Sequence, residues 1–165
     1  MSPLEQAILT WIHLISAAIW VGGSLFIGVV FSPLLKTMTD SIEERLQIMI
    51  KVGKRFNKIA IPSLIILMAT GLYTSHPLLS NPNLLMATSY GIFLTIKVVL
   101  VIALIITYVI HVRVIRKEIE DKIMSKEMPL LELQKLRKKI IILGEITVVL
   151  SITILFFAAL LDSGV

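Results

Sequence analysis

From Gln6 to Leu35 the chain carries thirty residues without an Asp, Glu, Lys or Arg, more than the roughly 20 that an α-helix needs to cross the hydrocarbon of a bilayer. A second charge-free stretch runs from Ile59 to Ile96. His76-Pro77 and Asn81-Pro82-Asn83 divide it with turn chemistry. Tyr90 to His111 is charged only at Lys97, and Ile140 to Leu161 only at Glu145. The pattern predicts four spanning helices, over residues 8–31, 59–75, 90–111 and 140–161. They form an all-α antiparallel four-helix membrane bundle, a single domain covering residues 1–165. Composition agrees: 56% of residues are hydrophobic and 16% charged, more apolar than a soluble domain of this size hides in its core. The first run has only Glu5 before it and no basic n-region, so it is expected to remain as a span and not to be cleaved as a signal peptide.

The sixteen lysines and arginines are sorted. Six lie from Lys36 to Lys58 and nine from Arg113 to Lys139, while the connection from His76 to Ser89 has none. By the positive-inside rule both basic connections face the cytoplasm and both termini face outside. The net charge of +5 is thus a topology signal flanking apolar spans and not a phosphate footprint, and membrane lipid, not nucleic acid, is the expected partner. Asp40 to Lys58 reads either as an amphipathic surface helix, with Ile42, Leu46 and Ile50 against the headgroups, or as a solvated connector. Beyond His111 the third helix is expected to continue into the cytoplasm, supported by a Glu118–Lys122 pair, until Pro129. The absence of cysteine removes disulfides, thiolate metal sites and thiol catalysis. No phosphate-binding glycine loop, hydrolase serine elbow or zinc-protease helix motif occurs.

The polar residues inside these runs carry what functional signal there is. A charge within the bilayer is costly and marks a functional position. Lys97 and His13 both fall roughly 7 to 11 Å below the outer boundary on helices that run the same way. They either meet inside the bundle or reach outward to the headgroups. Trp20 follows His13 by two helical turns and is expected on nearly the same face. Gly22-Gly23 then allows close approach, by a neighbouring helix or by the flat face of a macrocycle. At the opposite end, His111 and Glu145 are expected at one depth with Arg55. There Glu145 either locks the helix ends through an ion pair or serves as proton acceptor and partner of His111. His76, on the outer connection, is a further candidate metal ligand near the level of His13.

Neutral imidazole ligates haem iron and copper alike, and a bundle interior accepts a cofactor between facing helices. The seven methionines are dispersed, with no Met-x-x-Met or Met-His pair, which favours haem b over a copper ion.

The phrase His13-Leu-Ile-Ser-Ala-Ala-Ile-Trp20-Val-Gly-Gly23, then Lys54-Arg55-Phe56, Pro62, Gly71-Leu-Tyr73, Lys97 and Gly144-Glu145-Ile-Thr-Val, resembles the copper resistance protein D (CopD-like) membrane domain. The same order is similar to the HemJ-type protoporphyrinogen oxidases, and Tyr108 to His111 approximates their tyrosine-histidine end of the third span. The HemJ-like branch implies haem b held by His13 and Lys97 in an oxidoreductase; the CopD-like branch implies copper handling across the cell membrane. The chain lacks an arginine after the Trp20-Val-Gly turn, where Phe31-Ser-Pro33 stands, and its charged loop from Arg113 to Lys139 is much longer. The expectation is a haem-binding electron-transfer protein with Trp20 and Gly23 as pocket wall and His111 with Glu145 as a separate inner site for protons or a second cofactor. It acts alone, as a homo-oligomer or as a subunit of a larger membrane redox complex. The rivals are copper transport by His13, His76 and nearby methionines, and a purely structural accessory subunit.

Overall fold

A computed structural model describes residues 2–115, 117–125 and 128–164. Among these there is no strand. Four helices are long and apolar enough to cross a membrane: α1 (Pro3–Met38), α2 (Ile42–Leu79), α4 (Ser89–Val114) and α6 (Leu130–Asp162). The short α3 (Pro82–Ala87) and α5 (Lys117–Met124) lie between them. Each start has a local cause. Ser2 and Glu5 form a reciprocal capping box with Pro3 in the first turn of α1. Ser41 accepts from the Glu44 amide at α2, and Thr88 from the Gly91 amide at α4.

All four helices exceed their expected spans. The segment expected as a surface helix or connector is the first half of α2. Its apolar stripe meets protein: Leu46 and Ile50 pack against Ile123 of α5 and Leu133 and Ile140 of α6 in a separate core at the end that carries the basic residues. A Lys54–Glu120 ion pair and a Gln47 Nε2 to Ile123 carbonyl hydrogen bond of 3.1 Å tie α2 to α5. The basic connections are therefore a packed helical cap. The third span does not continue smoothly into this cap: α4 ends at Val114, Ile115 leaves helical geometry, and α5 begins anew. The expected Glu118–Lys122 pair lies outside the described side chains.

At the other end, α2 runs through His76-Pro77 to Leu79, where a turn was expected. Proline is tolerated because neighbouring groups take up the backbone atoms it frees.

A second core occupies the middle of the bundle, where Trp20 and Val21 of α1 meet Ala60 and Leu64 of α2 and Leu104 of α4. Outward-facing positions stay apolar: Ile65, Leu72, Val99, Ile106 and Phe156 are each more than half exposed. An apolar surface on every spanning helix fits lipid as the surrounding medium. The main packing pairs are α1 with α2 and α4 with α6. Helix α1 contains two wider, π-helical stretches, Ala18–Gly22 and Phe26–Phe31. Such stretches commonly accompany functional sites.

Candidate functional site

His13 lies ten residues into α1 and Thr70 nine residues before the end of the antiparallel α2, so the two reach one depth. His13 Nδ1 is 2.6 Å from Thr70 Oγ1. The Thr70 hydroxyl has one proton and lies 2.7 Å from the Ile66 carbonyl; with the proton directed there, a neutral His13 donates from Nδ1 and keeps its lone pair on Nε2. A hydrogen bond that fixes the tautomer and angle of an imidazole is the arrangement found behind metal-ligating histidines. Gly71 lies beside the ring, where an added Cβ would come within 3.7 Å of His13 Cε1. Lys97 is partly buried.

Trp20, two turns further along α1, packs against Ala60 and Leu64 of α2 and Leu104 of α4 and is 2% exposed. Its Nε1 donates to Ser151 Oγ of α6 at 3.1 Å, and its ring meets Tyr108 of α4 edge-on, with centroids 4.9 Å apart. Gly23 lies against Phe56 of α2, and a Cβ there would collide with its ring.

At the other level, a cavity of about 510 Å³ at the basic end is lined by all four spanning helices and includes Tyr108, His111 and Glu145. His111 is partly buried, forms no hydrogen bond among the described residues, and has Gly144 beside it, where an added Cβ would lie 3.6 Å from Cε1. Tyr108 donates to Asn57 Oδ1 at 2.8 Å. Glu145 corrects the expectation of a buried carboxylate: it is exposed, as is Arg55, and no ion pair joins them among the described residues. His76 is exposed, with Nε2 3.5 Å from Ser80 Oγ. Among the described residues, no group of three His, Cys, Asp or Glu side chains is arranged to hold a metal ion.

Three polar partners, Thr70, Ser151 and Asn57, went unremarked in the sequence. Their signal is faint but physical: each is a hydrogen-bonding side chain in or next to a charge-free run, at the depth of a histidine or aromatic residue on an antiparallel helix.

The family model for copper resistance protein D matches residues 50–161. The chain belongs to that family. As a CopD-family chain with four apolar helices of spanning length, it is a multi-pass cell-membrane protein. It is similar to a protein of Aquifex aeolicus (strain VF5) described as uncharacterized, with 32% identity over 87 residues, 52% of this chain and 59% of the relative. The chain thus covers 59% of the length of that curated relative. No solved structure matches. The CopD match begins at Ile50 and so covers Lys97, Tyr108, His111 and Glu145, whereas His13 and Trp20 precede it.

Proposed function

We propose that this CopD-family protein binds haem b through His13 in the half of the bundle away from the basic cap and takes part in electron transfer, alone or within a larger membrane redox complex. The reading includes the orientation given by the charges, with the cap in the cytoplasm and both termini outside. The observation that carries it is the Thr70-bonded Nδ1 of His13, which leaves Nε2 as a fixed imidazole donor. A porphyrin supplies four ligands of its own, so one or two axial groups suffice.

In this reading Thr70 orients the imidazole, and Lys97 would either ligate the iron as a neutral amine or, as a cation, pair with an acidic edge of the macrocycle. The buried Trp20, in edge contact with the partly buried Tyr108, separates the site from the basic end. The bound group itself supplies one-electron redox chemistry.

Protein purified from haem-replete cells is expected to show sharp α and Soret bands in reduced-minus-oxidised spectra, lost in His13→Ala. A colourless preparation ends this reading. Copper handling is the second reading, favoured by the family's description, with copper as cargo and His13 as one stop on its path. Copper uptake by vesicles containing haem-free protein, lost in His13→Ala, selects it.

A further inference from the structure

We propose that the cavity at the basic end is a binding site for the ring of an isoprenoid quinone, entered from the bilayer. The cavity is about 510 Å³, inside the range of roughly 300 to 1,000 Å³ typical of small-molecule sites. Its lining includes Val29 of α1 and Val149 of α6, which are 64% and 62% exposed on the lipid-facing surface. One wall therefore reaches the hydrocarbon, and a ligand dissolved in the membrane has a way in.

The charges select a neutral ligand. Lys36 and Lys54 lie at the margin, but Lys54 is paired with Glu120 and the Glu145 carboxylate lines the same cavity. A phospholipid headgroup or other strongly anionic guest finds no surplus of cations there. A bare metal ion finds no group of three ligands among the described residues.

The polar groups suit a flat ring that carries more than one acceptor. His111 and Tyr108 lie three residues apart on α4, about 4.5 Å along the axis. His111 offers an imidazole with no hydrogen bond among the described residues. One level deeper, Tyr108 spends its proton on Asn57 Oδ1, which leaves the two amide protons of Asn57 without an acceptor among the described residues. Donors thus stand at two levels of an otherwise apolar space, with the Phe56 and Tyr108 rings beside them. A quinone offers two carbonyl oxygens across one flat ring and an apolar tail for the lipid-facing opening.

This site is independent of haem at His13, and the test uses haem-free full-length protein in nanodiscs. The chain has two tryptophans. Trp11→Phe leaves Trp20, in edge contact with the cavity-lining Tyr108, as the sole reporter. A benzoquinone carrying two prenyl units is expected to quench Trp20 fluorescence saturably, at one site per chain. Binding should weaken at least tenfold in His111→Gln and vanish in Gly28→Leu, which fills the cavity beside Val148. It should be unchanged in Ile106→Ala on the lipid-facing surface. Thermal melts identify any variant that fails to fold, and His111→Gln then decides alone. Non-saturable quenching, or saturable quenching indifferent to His111→Gln, overturns the proposal. So does displacement of the quinone by a long-chain fatty acid at equal concentration, which would make the cavity a tail site without ring selectivity.

Discussion

His13 and His111 stand at opposite ends of the bundle in matching company, each with a glycine of the next spanning helix against its Cε1: Gly71 for the first, Gly144 for the second. They differ in what surrounds the rest of the ring. His13 is tied through Nδ1 to Thr70 at 2.6 Å. His111 has no hydrogen bond among the described residues and borders about 510 Å³ of space. A tethered imidazole has one direction in which to offer its lone pair, as a permanent ligand requires. An untethered one beside a cavity can turn to meet a guest that comes and goes. The same residue type therefore points to a fixed cofactor at one level and an exchangeable ligand at the other.

The sharpest way to break this contrast is to disturb the packing that separates the two levels. Gly23 accommodates the Phe56 ring between them, and a larger side chain there forces ring or backbone to move. Overpacking of this kind costs about 1–3 kcal/mol and occasionally more. Gly23→Leu is expected at or above the upper end, read as a fall in the unfolding midpoint in detergent, with Gly23→Leu/Phe56→Ala recovering most of the loss. If the single variant melts like the wild type, the two levels are not separated by this contact.

A smaller effect tests the tether. Thr70→Val keeps the shape and removes the hydroxyl that accepts from His13. Loss of such an orienting partner typically weakens metal affinity 10–100-fold, and haem retention on titration with apomyoglobin should fall by about that factor. Quinone quenching at the other level should not change. Equal haem retention in Thr70→Val means that the hydroxyl does not orient the ligand.

Sequence alone revealed the four spans because charge sorting is a compositional signal that survives without knowledge of contacts. It did not reveal the cap. The stripe of Leu46 and Ile50 was visible, but its partners Ile123 and Leu133 lie more than seventy residues away, and lipid headgroups were an equally good place for the same pattern. Thr70 was invisible for a different reason. Thr95, Thr107, Thr147 and Thr153 make the same i−4 back-bond to a carbonyl, so a membrane threonine by itself says little. What separates Thr70 from the others is a histidine at its depth on the neighbouring helix.

The smallest effect is expected at Tyr108, where the two levels touch. Its ring packs on Trp20 and its hydroxyl donates to Asn57, so Tyr108→Phe keeps the aromatic contact and deletes only the hydrogen bond. A neutral hydrogen bond contributes about 0.5–1.5 kcal/mol net, and the unfolding midpoint should drop by no more than that. With the Tyr108 proton gone, Asn57 is free to turn its amide, so quinone affinity should change by several-fold while haem spectra stay as in the wild type. If haem spectra shift and quenching does not, Tyr108 belongs to the level of His13, and the division between a fixed and an exchangeable site has been drawn in the wrong place.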